Sequence, residues 1–228
     1  MGSRTDKVGL FDAFASIGKA LSSGRRVEMV DVLAQGPRSV EQLAGEIGQS
    51  VANTSSHLQV LAAAGLVTSE RDGNRVIYGL AGPSVEALWA AVRTTASEHL
   101  AVVDRLAHAY LGDRGELEVV TRAELVDRLR RGDGPVVLDV RPLAEYTAGH
   151  IPGAVSVPPD ELAERLRRVS RSKDIVAYCR GPFCVYADDA VRQLRRRKVR
   201  ARRLEEGFPE WRRSGLPVAA GAEPGVYS

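Results

Sequence analysis

The hydrophobic period of this chain changes once, at the short polar stretch GDRGE, residues 112–116. Before it, apolar residues recur at helical spacing, interrupted by a single alternating stretch. After it, short apolar runs alternate with amphipathic helical patterns. The pattern predicts two domains, at 1–112 and 117–218, joined by a linker at 113–116 and followed by a flexible tail at 219–228. A length of 228 residues suits two domains. Hydrophobic residues at 44% and charged residues at 27% supply enough apolar surface for two cores.

In the first domain, Ser22, Ser23 and Gly24 break an opening helix. Gly36 and Pro37 close a second, RRVEMVDVLAQ, with Val27, Val30, Val32 and Leu33 on its apolar side. Ser39 followed by Gln42 is a capping-box signature for the helix VEQLAGEIG. Ser50 caps a longer helix ended by Gly65, with Val51, Leu58, Leu61 and Ala62 as its expected buried stripe. LVTSE, RDGN and RVIYGL then read as a hairpin. Two helices joined by a tight turn and followed by a hairpin describe a mainly α winged helix-turn-helix. Residues 84–111 contain no Gly or Pro and predict one long helix. Its apolar stripe is Val85, Leu88, Trp89, Val92, Leu100, Val103, Leu106 and Tyr110.

SVEQLAGEIGQSVANTSSHLQVLAAAGLVTSERDGNRVIYGL, residues 39–80, resembles the DNA-binding core of the ArsR-type bacterial repressors. The likeness extends over residues 10–112. It implies that Asn53, Thr54, Ser55, Ser56 and His57 present polar atoms to the major groove. It also implies that Arg71, Asn74 and Arg75 on the wing reach the DNA backbone or minor groove. The long helix would pair with its copy in a homodimer on a double-stranded DNA operator. Small hydroxyl and amide side chains on an exposed helix face suit base-edge and phosphate contacts. Many members of that family sense soft metal ions through thiolates in this domain. Residues 1–112 hold no cysteine, so a signal must enter elsewhere. His99 and His108 do not match the family's zinc spacing, and no metal or cofactor is expected.

In the second half, the helix pattern VTRAELVDRLRR is followed by the buried-strand run VVLDVR. Strand and helix patterns then alternate through AVSVP, ELAERLRRV, DIVAYC, VYADDAVRQLRRR and VRARRLE. This alternation predicts an α/β domain with a parallel sheet. Asp139-Val140-Arg141, Glu145-Tyr146, Gly149-His150-Ile151 and Gly153-Ala154, with DIVAYCRGPFC and LEEGFPEWRRSGLPV, resemble the rhodanese family over residues 117–218.

Both cysteines of the chain, Cys179 and Cys184, lie in the DIVAYCRGPFC segment, where an apolar run meets a helix pattern. A thiol between a strand end and a helix start meets positive partial charge from loop amides and the helix N-terminus, and Arg180 would add a full charge. The resemblance implies that Cys179 takes the outer sulfur of thiosulfate or a persulfide. The loop Arg180, Gly181, Pro182, Phe183 and Cys184 would then cradle the anion. Phosphatases of the same fold carry Arg at the position held here by Val185, so that activity is not expected. Many sulfurtransferases carry Arg where this chain has Cys184. Cys184 either resolves a Cys179 persulfide into a bridge of two or more sulfurs or fills a small apolar slot.

The function expected is a transcriptional regulator that senses sulfane sulfur on Cys179. The alternative is a rhodanese-type sulfurtransferase whose winged helix serves for dimerisation or DNA localisation. Residues 1–112 are close to neutral, so the net charge of +3 comes from the second half, where residues 192–203 are rich in arginine. That run is read as a solvated helix end or as a phosphate contact. The opening residues lack an apolar signal-peptide core, no run reaches the roughly 18 apolar residues of a membrane span, and the chain is expected to be cytoplasmic.

Overall fold

A computed structural model describes residues 2–132, 134–168 and 172–221. The chain divides into two compact units, Met1–Thr95 and Ala96–Ser228. Among the described residues no helix is long and apolar enough to cross a membrane.

The first unit opens with α1 (Arg4–Leu21), α2 (Gly24–Leu33), the short strand β1 (Arg38–Ser39), α3 (Val40–Glu46) and α4 (Val51–Ala63). Side-chain caps set three of the helix starts. Ser3 and Asp6 form a capping box at α1, Ser39 and Gln42 form one at α3, and Ser50 Oγ accepts from the Asn53 amide at α4. Each such cap contributes about 1 kcal/mol. The wing is β2 (Val67–Asp72) and β3 (Arg75–Leu80), paired antiparallel from Val67 opposite Leu80 to Asp72 opposite Arg75. Gly73, with φ of 59°, turns the chain between them. β1 pairs with β3, giving the order β1-β3-β2.

The core of this unit joins Met29, Val30, Leu33, Leu43, Leu58, Leu61 and Leu66. The buried stripe of α4 is Thr54, Leu58 and Leu61. Val51, expected in that stripe, is 48% exposed, and Ala62 is exposed as well. The stripe starts one turn later because Ser50 caps the helix and leaves Val51 in its open first turn. α5 (Pro83–His99) follows the wing, and its Trp89 Nε1 donates to Asp31 of α2 at 2.8 Å.

The single helix expected over 84–111 is two. α5 ends at His99, and α6 runs Ala101–Leu111 after Leu100, whose backbone is extended at φ −114° and ψ 94°. Neither Gly nor Pro marks the break, so helical periodicity reads through it.

The second unit holds a five-stranded parallel sheet in the order β4-β8-β7-β5-β6. Its elements are β4 (Val119–Val120), α7 (Arg122–Arg131), β5 (Val136–Asp139), α8 (Leu143–Ala148), β6 (Val155–Ser156) and α9 (Leu162–Arg165). They continue with β7 (Asp174–Tyr178), α10 (Tyr186–Arg196), β8 (Arg200–Leu204) and α11 (Phe208–Arg213). Successive residues of a strand face opposite sides of the sheet. Leu138, Ile175, Ala177 and Ala201 therefore pack with Ala190, Val191 and Leu194 of α10. Val137, Val176, Tyr178 and Leu204 pack on the other face with Leu125, Phe208 and Trp211. The parallel α/β sheet matches the sequence pattern; the two-residue β4 is too short to leave one.

The tail expected to be flexible from 219 is tied down at its start. Ala219 pairs with His150 through two backbone hydrogen bonds of 2.8 and 3.0 Å, and the Gly221 amide donates to Thr147 O at 2.9 Å. The rest of that tail, residues 222–228, lies outside the described residues.

Candidate functional site

Two places in the chain carry chemistry. The first is α4 with its wing. Asn53 and Ser56 are exposed, and Ser55 and His57 are half-buried. Arg71, Asn74 and Arg75 are exposed on and beside the hairpin turn. Thr54 departs from the sequence expectation. It is fully buried, and its Oγ1 donates to Ser50 O at 3.0 Å. It faces the core with Leu58 one turn on, so of the set on α4 Asn53 and Ser56 are exposed, with Ser55 and His57 half-buried beside them.

The second is the loop after β7. β7 is the central strand, and the carboxyl end of a parallel sheet is where such folds place their ligands. Cys179 follows the last residue of β7 and is buried, while Arg180, Gly181, Pro182 and Cys184 line the loop, and Arg180, Gly181, Pro182 and Cys184 are more open than Cys179. Cys179 and Cys184 are joined by a disulfide with their Cα atoms 6.2 Å apart. Cys184 also packs against the core that includes Ala187, Ala190 and Val191 of α10. The Cys184 amide donates within the loop to Gly181 O at 3.2 Å. Phe183 is 36% exposed at the outer edge of the loop.

Arg180 does not lend Cys179 the unopposed charge expected of it. Its Nε donates to Glu145 Oε1 at 2.9 Å, Nη2 reaches the same oxygen, and Glu145 is fully buried in α8. The guanidinium is spent on compensating a buried carboxylate, which could not be left alone there.

Three groups that the sequence did not single out hold this loop. Gly207 lies backbone to backbone against it: a Cβ at that position would fall 2.5 Å from Gly181 Cα and closer still to Gly181 N and the Arg180 carbonyl carbon. The next residue, Phe208, donates its amide to Cys179 O at 3.0 Å. Asp188, buried in the first turn of α10, pairs with Arg114, which also donates to Pro182 O at 2.6 Å and Cys184 O at 3.1 Å. A carboxylate in an amphipathic helix and an arginine in a polar link give no signal in sequence that they meet. Gly207 and Phe208 stand inside a recognisable motif, LEEGFPEW.

A second buried pair lies at the end of β5, the strand beside β7. Asp139 at the end of β5 and Arg141 are both fully buried. Arg141 donates to Asp139 from its backbone at 3.0 Å, from Nε at 2.9 Å and from Nη2 at 2.5 Å, and to Gly149 O at 2.6 Å. Burial disfavours the Arg141 charge, but Asp139 beside it holds its pKa above the usual value. Tyr178 Oη donates to Asp139 and accepts from the Ile151 amide at 3.1 Å. The conspicuous DVR and GHI motifs thus bond to one another and to Tyr178, the residue before Cys179.

The basic run at 192–203 is largely committed to protein groups. Arg195 pairs with Glu118, Arg202 with Glu124 and Asp174, and Arg192 donates to Asp113 O at 2.9 Å.

Comparison with known proteins decides what these two units are. The model of the bacterial regulatory protein arsR family matches residues 23–69, and that of the rhodanese-like domain matches residues 121–214. An HTH-type transcriptional regulator of Mycobacterium tuberculosis, Rv0324, is 46% identical over 224 residues, which is 98% of this chain and 98% of that protein. The chain belongs to the arsR family of HTH-type transcriptional regulators. Its second unit is a fused rhodanese-like domain. A sulfurtransferase of Allochromatium vinosum is 30% identical over 96 residues, covering 42% of this regulator and 89% of its own length. A homodimeric winged helix-turn-helix DNA-binding domain from Mycobacterium bovis, Mb0332, is 43% identical, covers 44% of this regulator and 93% of its own chain, and superposes with a TM-score of 0.42. By its family the regulator carries a DNA-binding winged helix in its first unit and a cysteine-bearing rhodanese loop in its second.

Proposed function

We propose that this regulator is a sulfane-sulfur sensor, in which the sulfur state of Cys179 and Cys184 sets the affinity of α4 and the wing for an operator. The observation that carries the reading is the Cys179–Cys184 pairing within one loop, at the sheet end where the rhodanese-like domain would take its substrate. The chain has two cysteines, so this loop is its one thiol-based input.

The step balances without an outside oxidant. Cys179 thiolate attacks the outer sulfur of a persulfide R–S–SH, forming Cys179–S–SH and releasing R–SH. Cys184 thiolate then attacks Cys179 Sγ, forms the disulfide and expels hydrosulfide. Two protein thiols are oxidised, and the sulfane sulfur is reduced to hydrogen sulfide. Pro182 has no N–H and the Cys184 amide is used inside the loop, so the amides of Arg180, Gly181 and Phe183 serve the incoming anion.

We read the regulator as a homodimer. Phe11 and Phe14 of α1 are 59% and 62% exposed, and Val92 of α5 is also exposed. The Phe11 and Phe14 rings lie edge to face 6.0 Å apart, and large apolar side chains left exposed together on a helix are typical of a protein contact. Dimerisation also suits an operator read as two half-sites.

Intact-mass measurement tests the chemistry. The reduced chain, treated with glutathione persulfide, is expected to lose two hydrogens as the bridge closes, and a Cys184→Ser chain is expected to stop at Cys179–S–SH. Retention of a simple persulfide by both chains, removable by a thiol acceptor, would instead identify a sulfurtransferase.

A further inference from the structure

We infer that Arg114 is the coupling residue of this regulator, reading the state of the cysteine loop and passing it to the linker; the inference rests on the sensor reading above. Arg114 sits in the 113–116 link, shortly after α6. Its guanidinium reaches three acceptors at once: Nε on buried Asp188, Nη1 on Pro182 O at 2.6 Å and Nη2 on Cys184 O at 3.1 Å. Two of these acceptors belong to the loop that the disulfide closes, and one of those to Cys184 itself. The third is a fixed point. Asp188 is buried in α10, and its other oxygen lies 3.8 Å from Arg203 Nε.

The same link is gripped from below. Arg192 donates to Asp113 O at 2.9 Å, and Arg195 donates to Glu116 O and pairs with Glu118. Linker carbonyls are thus held by α10, while the linker's arginine holds loop carbonyls. α10 begins two residues after Cys184. In the bridged state the loop presents Pro182 O and Cys184 O to Arg114 together. When the bridge opens, Cys184 is released from Cys179, the two carbonyls are no longer fixed as a pair, and Arg114 keeps Asp188 alone. The planar fork of arginine suits three simultaneous acceptors, and lysine cannot reproduce it. The linker is also the covalent path between the sulfur site and α5, so its order is the quantity that differs between the two states.

The test uses the full chain and a DNA duplex selected from a random pool by the reduced wild type. Wild-type affinity is expected to differ by about tenfold between reduced and glutathione-persulfide-treated protein, within the usual range for coupled sites. Arg114→Gln is expected to form the bridge by intact mass, yet to compress that ratio to less than about twofold, with Arg114→Lys between the two. An Arg114→Gln chain that retains the wild-type ratio would overturn the inference and leave the sensor reading standing. No ratio in the wild type would overturn the sensor reading itself, and the coupling with it. A third readout needs no variant. Amide exchange across residues 112–118 of the wild type is expected to slow in the bridged form, and equal exchange in both forms counts against Arg114 as the coupler.

Discussion

An Asp139→Asn chain is expected to lose about 3–5 kcal/mol of stability in its second unit, because the substitution leaves Arg141 charged, fully buried and without the carboxylate it is hydrogen-bonded to. Asp139 accepts three hydrogen bonds from Arg141 within 3.0 Å and one from Tyr178 Oη. An amide in its place turns one acceptor into a donor facing the guanidinium. Tyr178→Phe removes one bond to the same carboxylate and the acceptor of the Ile151 amide, leaves the ion pair intact, and is expected to cost less, about 1.5–3 kcal/mol. Each unit has one tryptophan, Trp89 in the first and Trp211 in the second. Denaturant unfolding followed by Trp211 fluorescence in a Trp89→Phe background therefore reports on the second unit. A loss below about 1 kcal/mol for Asp139→Asn would show that the pair is replaceable and that the DVR motif has another purpose.

The second large effect concerns DNA. Asn53→Ala with His57→Ala is expected to weaken operator binding by about a hundredfold, at about 1–3 kcal/mol for each base-edge pairing removed. Thr54→Val should behave differently. Its hydroxyl is spent on Ser50 O inside the core, so the change is expected to cost about 1 kcal/mol of stability and to leave the affinity of the folded protein unaltered. Affinities must be compared at one salt concentration, since phosphate contacts dominate the salt dependence. Thr54→Val weakening DNA binding as much as the double variant does, in a chain that remains folded, would mean that α4 meets DNA through a different face.

What the sequence discloses divides along physical lines. Local devices are legible: Ser39 with Gln42, Ser50 before α4 and Gly73 in the wing each act within a few residues of themselves. The parallel sheet is legible because strands buried on both faces read as apolar runs. The break at Leu100 is hidden, since no breaker residue marks it. Thr54 is misplaced by a reading that groups it with its neighbours, because residues adjacent along a helix do not share a face. The cysteine loop is found through its motif, but its supports are not. Arg114 and Asp188 lie 74 residues apart, and Glu145 and Arg180 lie 35 apart. A charge in sequence carries no record of its partner, which is why Arg180 reads as a free cation and the run at 192–203 as a candidate DNA contact.

The central claim is that sulfur at Cys179 changes how the regulator binds DNA. The direct measurement is the operator affinity of the full chain before and after glutathione persulfide, alongside Cys179→Ser. The account predicts a shift of about tenfold for the wild type, none for Cys179→Ser, and reversal when a dithiol reductant reopens the bridge. Equal affinities for the reduced and treated wild type, with the bridge confirmed by mass, would contradict it and leave the rhodanese-like domain as a sulfur-handling unit uncoupled from DNA.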